Sequence, residues 1–186
     1  MLLYAVMMAG STLFPIYIQD IMGKSATISG LIMMPGSLTM ALISPFTGKF
    51  YDRYGIRKLA VIGSFLMFIS CLGVTFIGKQ TSIIYVSFLY LLRLISIGCI
   101  MMPIVTWGMS ALDKNYTAHG TALLTSLRTI SGAFGSAVFV AVMTIITNLT
   151  SKGLTANAIG IDVAFSCITI LAGLQLLISV IWVGKK

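Results

Sequence analysis

Polar positions along this chain are sparse and clustered, and the stretches between clusters are apolar for about twenty residues at a time. The runs cover residues 2–18, 27–47, 59–77, 82–106, 121–147 and 159–183. A bilayer-crossing helix needs roughly 20 mostly apolar residues, and these runs fit that length. Helices are expected rather than strands, because an open sheet in lipid leaves edge N–H and C=O groups unpaired. The pattern therefore predicts an all-α integral membrane protein with six transmembrane helices and short polar connections. The first run is the shortest. At about 1.5 Å per residue it reaches ~27 Å against a hydrocarbon core of ~30 Å, so the span is expected to continue upstream of Met1.

Composition sharpens this. The chain is 58% hydrophobic and 9% charged, where soluble domains carry about a quarter charged residues. It has no Glu, and its acids are Asp20, Asp52, Asp113 and Asp162. The net charge of +8 leaves no basic face for nucleic acid once the spans are set aside. Cys71, Cys99 and Cys167 lie far apart in apolar runs, which fits neither a metal site nor a disulfide framework. His119 is the single histidine. No Ser/His/Asp set, Cys/His cluster or phosphate-binding glycine loop appears, so an enzyme and a bound cofactor are not expected. A signal peptide is not expected, since the first run lacks a basic lead and a small-residue cleavage site.

Charge sets the expected orientation. Six spans put the termini and two connections on one side. That side carries Lys49, Arg53, Arg57, Lys58, Lys114, Lys185 and Lys186; the other carries Lys24, Lys79 and Lys152. The excess of Lys and Arg marks the cytoplasmic side of a cell membrane, so both termini are expected there.

One connection is unusual. Residues 48–58, GKFYDRYGIRK, hold five charges in a chain that has few. Topology alone accounts for the basic residues. It does not account for Gly48, Asp52 and Gly55 at fixed offsets. Gly48 is expected to allow close helix approach, and Gly55 to permit positive φ at a reversal. Asp52 among four cations can latch two helix ends and release them. Gly48, Asp52, Arg53, Gly55 and Arg57 read G-x-x-x-D-R-x-G-x-R, with Lys58 following. This resembles the signature loop between the second and third helices of a half-domain in the major facilitator superfamily, where it acts as a conformational latch.

Two further stretches narrow the resemblance. Residues 13–38, LFPIYIQDIMGKSATISGLIMMPGSL, are similar to the first loop and second helix of the C-terminal half of fourteen-span EmrB/QacA-like multidrug:proton antiporters. Residues 101–137 are similar to that group's fourth-to-fifth helix segment. Asp113 stands where a proline is common, and Thr129 and Ser131 where Gln and Gly are more usual. The resemblance implies six helices forming one half of a transporter, built as a 3+3 inverted repeat. Its partners would be the lipid bilayer, a small amphipathic substrate, protons, and the N-terminal half missing from this chain. The implied function is proton-coupled export by alternating access. The alternatives are a truncated or split-gene remnant that transports nothing by itself, and a six-helix homodimer.

Two charges fall inside predicted spans. Arg93, near mid-membrane, costs about 2.5–3.5 kcal/mol to insert and must face the bundle interior or an aqueous cavity. It is read either as a transport-path residue or as a structural charge bonded to carbonyls. Arg128 is read as part of the path or as a snorkelling side chain. Gly132 with Ser136, and Ser131 with Gly135, are four apart and suit close helix packing. No Asp is expected at mid-membrane, so the proton-carrying group is expected in the missing half.

Overall fold

A computed structural model describes residues 1–78, 81–110, 113, 116–150, 154–181 and 183, with the side chains of 154–156 left out. Helix α1 (Leu2–Ile16) runs on into a π-helical turn, Tyr17–Ile21. It is followed by α2 (Ala26–Thr75), α3 (Ile83–Ser110), α4 (Thr117–Leu149) and α5 (Leu154–Ile181). Among the described residues, five helices are long and apolar enough to cross a membrane.

The expected second and third spans are two helical limbs of α2 that meet at Gly55, and the residues between them are helical up to that break rather than a loop of several residues. Backbone angles leave the helical range at Gly55 alone, with φ 71° and ψ 166°. The reason is physical. Lys49, Asp52 and Arg53 are exposed and solvated, so nothing in their side chains stops the helix. Gly55 does, because that backbone conformation is open to glycine and closed to almost everything else. A straight α2 of 50 residues would be about 75 Å long.

Contacts with α3 show what the break does. Ser87 Oγ donates to Ile32 O at 2.8 Å, Gly36 faces Tyr90, Leu91 and Leu94, and Gly98 faces Met40 and Ile43. Residue numbers rise together, so limb 26–54 runs parallel to α3. Ser96 Oγ donates to Gly63 O at 2.6 Å and Ser70 Oγ to Leu89 O at 2.7 Å. Here numbers rise on one helix and fall on the other, so limb 56–75 runs antiparallel to α3. The chain thus reverses at a single residue. Small residues at each crossing (Gly36, Gly63, Gly73, Gly98) let backbones close up, which is how helices gain packing in lipid.

Helix α1 sits in the middle of the bundle. Its Leu3, Tyr4, Val6, Ala9, Gly10, Leu13 and Phe14 are all buried. Phe14 meets Tyr90 of α3 and Phe165 of α5 edge-on, at 5.1 and 5.7 Å between ring centres. Tyr17 Oη donates to Gly78 O at 3.1 Å and closes the end carrying the π turn. By contrast α4 buries Gly132, Gly135 and Phe139, and leaves Leu123, Ile130, Phe134, Ile145 and Leu149 exposed. Exposed apolar side chains also cover α2 and α5, as expected where the solvent is lipid.

Candidate functional site

The site is built around α1, on which two arginines from different helices converge. Arg93 of α3 is 1% exposed. Its guanidinium donates to Val6 O of α1 and, at 3.7 Å, to Cys71 Sγ of the second limb of α2. Its carbon lies 5.8 Å from the Phe14 ring centre. Carbonyl, thiol and ring replace the water that the cation has lost. No carboxylate is among these partners. The Val6 carbonyl can accept twice, once within the helix and once from Arg93.

Gly10 makes this possible. It stands one turn beyond Val6, on the same helix face. A β-carbon there would lie inside the guanidinium of Arg93. The absent side chain is the space the cation fills. Sequence reasoning assigned Arg93 to the interior or a cavity, and the structure places it in the interior. It missed Val6, Gly10 and Cys71, because nothing in their spacing announces a partner on another helix.

Arg128 of α4 is half-buried, with its guanidinium carbon 4.2 Å from the ring centre of Tyr4 on α1. One turn further along, Gly132 and Gly135 bring α4 against α1. A β-carbon at Gly135 would stand 2.6 Å from the Ala5 Cα, and one at Gly132 2.8 Å from the Met8 Cγ. The contact therefore runs through glycines three apart. Ser136 instead turns its Oγ back to Ala133 O at 3.0 Å, and Ser131 donates to Leu127 O and Met1 Sδ.

The charged segment around the break is organised by rings. Arg53 and Lys58 lie 5.5 and 6.0 Å from the Tyr54 ring centre, and Lys49 lies 5.9 Å from that of Phe46. Phe50 stacks on Tyr54 at 6.1 Å. Asp52 and Arg57 are exposed, and no ion pair holds Asp52 among the described residues. Gly48 departs from expectation. A β-carbon there meets nothing within 4 Å, so it admits no close neighbour. Lys79, Lys114, Lys152, Lys185 and Lys186, used for the orientation, lie outside the described residues.

A buried polar cluster joins the second limb of α2 to α5. Ser64 Oγ and Ser179 Oγ are 2.8 Å apart, and Gln175 Nε2 donates to Ser64 Oγ at 3.5 Å. His119 is exposed, and the described residues hold no group of three or more potential metal ligands.

A bundle of helices long and apolar enough to cross a membrane, with the cation of Arg93 buried inside it, is that of a multi-pass membrane protein, and comparison with known proteins gives its class. The chain matches the Major Facilitator Superfamily over residues 1–136, and it belongs to that family. It is 34% identical over 142 residues to the uncharacterized MFS-type transporter YcnB of Bacillus subtilis, covering 76% of this chain and 30% of that protein. It is 35% identical over 131 residues to the lincomycin resistance protein LmrB of Listeria innocua, covering 70% of this chain and 28% of LmrB. The multidrug export protein EmrB of Haemophilus influenzae is 28% identical over 140 residues, covering 74% and 27%. The chain thus spans under a third of the length of these relatives.

Proposed function

We propose that this chain is the C-terminal, six-crossing half of a proton-coupled exporter of drugs or other small amphipathic compounds. Six crossings follow when α2 is counted as two limbs about Gly55, which gives the number for one 3+3 repeat. The observation that carries the reading is the Arg93 contact. A fully buried cation donates to the backbone of the central helix, and such a bond holds in one packing and is lost when α1 moves. Alternating access needs such an element. Relatives named for lincomycin resistance and multidrug export support the substrate class.

In this reading Arg93 and Arg128 fix α1 along the path. The segment of Gly48, Asp52, Arg53, Gly55, Arg57 and Lys58 is the cytoplasmic gate, both termini of the chain are cytoplasmic, and the membrane is the plasma membrane. The proton-carrying acid belongs to the other half of the transporter. The test is drug efflux from cells bearing the complete transporter, with surface expression measured in parallel. Arg93→Ala and Asp52→Asn should each lower efflux at unchanged expression. Normal efflux in both would remove these residues from the mechanism.

A further inference from the structure

The second limb of α2 carries an exposed ridge. Lys58, Ile62, Phe65 and Ile69 follow one another at helical spacing and share one face. Lys58 is exposed, and Ile62, Phe65 and Ile69 are 56%, 52% and 39% exposed. The ridge is thus cationic at its Gly55 end and apolar along the rest. A groove runs on each side of it. One, of about 300 Å³, lies towards the first limb and α3 and is lined by Phe50, Tyr54, Leu59 and Cys99. The other, of about 450 Å³, lies towards α5 and is lined by Arg57, Val61 and Val180. Lys58 and Ile62 border both grooves.

Positive charge gathers where the two grooves meet. Arg53 and Lys58 both approach the Tyr54 ring, and Arg57 stands next to Lys58 in the second groove. No carboxylate, Asp52 included, forms an ion pair with Arg53, Arg57 or Lys58 among the described residues. An occupant that matches this surface is anionic at one end and apolar over two parallel stretches. A packed helix sets its ridge into one groove and leaves the other open. A lipid with two chains fills both. A water's share of liquid volume is about 30 Å³ and a methylene is of similar size, so the smaller groove takes roughly ten carbons. We propose that limb 56–75 binds an anionic diacyl phospholipid, which straddles the ridge with one acyl chain in each groove and its phosphate at Lys58 and Arg57. Long basic side chains suit that place, since their stems lie along apolar surface while the charge reaches the headgroup level. The inference uses only the membrane placement of the chain, so it stands or falls apart from the transport reading.

The experiment reads lipid binding alone. The full-length protein in detergent is mixed with phosphatidylglycerol bearing a diazirine in each acyl chain, irradiated, and mapped by peptide mass spectrometry. Labels are expected on both sides of the ridge, at residues 50–62 and around Val180. The probe is then displaced with unlabelled phosphatidylglycerol or phosphatidylcholine. Each basic residue near an anionic lipid is worth about a fivefold preference, so two should favour phosphatidylglycerol about twentyfold. Arg57→Gln with Lys58→Gln should abolish that preference and leave the labelling in place, because the grooves are unchanged. Lys58→Arg should keep the preference. Equal displacement by the two lipids in the wild type means ordinary boundary lipid, and the proposal fails. Labels on one side of the ridge alone overturn the straddling arrangement. Labels at neither place mean that another protein segment covers the grooves, which overturns the site altogether. A full preference retained in the double variant puts the charge recognition elsewhere and overturns the assignment to Arg57 and Lys58.

Discussion

Gly10 and Arg93 occupy one volume between them: the guanidinium of Arg93 fills the space where any side chain at position 10 would begin. Ala is ordinarily the better helix former by about 1 kcal/mol, so propensity alone would favour Gly10→Ala. Packing reverses the sign. Gly10→Ala should destabilise by about 1–3 kcal/mol, as overpacking does. Adding Arg93→Ala should recover part of that loss, since the two residues share one space. Thermal unfolding of the single and double variants checks this, and strict additivity would refute the shared volume.

Cys71 gives a readout of the same contact. It is buried beneath Arg93, while Cys99 and Cys167 are partly exposed. A membrane-permeant maleimide should label Cys99 and Cys167 in the wild type and leave Cys71 unmodified. Arg93→Ala removes the group that covers the thiol, so Cys71 labelling should then appear in peptide mass spectra. Equal protection of Cys71 in both proteins would mean that the surrounding helices, not Arg93, close the site.

The two glycines of α4 should respond unequally. A β-carbon at Gly135 meets backbone of α1, which cannot step aside; at Gly132 it meets the flexible side chain of Met8. Gly135→Ala is expected to cost about 1–3 kcal/mol and Gly132→Ala distinctly less. Unfolding temperatures of the two variants in one detergent decide the order.

Gly48 and Gly55 should differ even more. Gly55→Ala must hold a side chain at φ 71° and ψ 166°, at a cost of about 1–3 kcal/mol. Gly48→Ala sits in helix with open space around it, where the change should be neutral or stabilise by up to about 1 kcal/mol. Unfolding midpoints of the two variants measure the difference, and equal destabilisation would argue against Gly55 as the point of reversal.

Apolar run length placed most of each helix, because lipid leaves a chain few other choices. It put Arg93 in the bundle interior or an aqueous cavity for the same reason, and the structure has it in the interior. It misjudged residues 48–58, where charge was read as loop although solvated Lys, Asp and Arg are compatible with a helix. The expectation of positive φ at a reversal holds at Gly55, whereas Gly48, expected at a close helix approach, is unstrained helix facing open space. The Gly10 space, the Tyr4–Arg128 stack and the Ser64–Gln175–Ser179 cluster each join residues far apart in the chain. Such pairings are set by which faces meet, and local spacing carries no trace of that.

The break in α2 has a mechanical side. A connection of several loose residues would let each limb tilt independently, with the slack absorbed between them. A corner made of one glycine has little slack. The limbs on either side of Gly55 have the shape of the two arms of a crank, both packed against α3. Any tilt of one arm relative to the other has to be taken up by φ and ψ of that one glycine, beside the aromatic-braced cations at 49, 53 and 58.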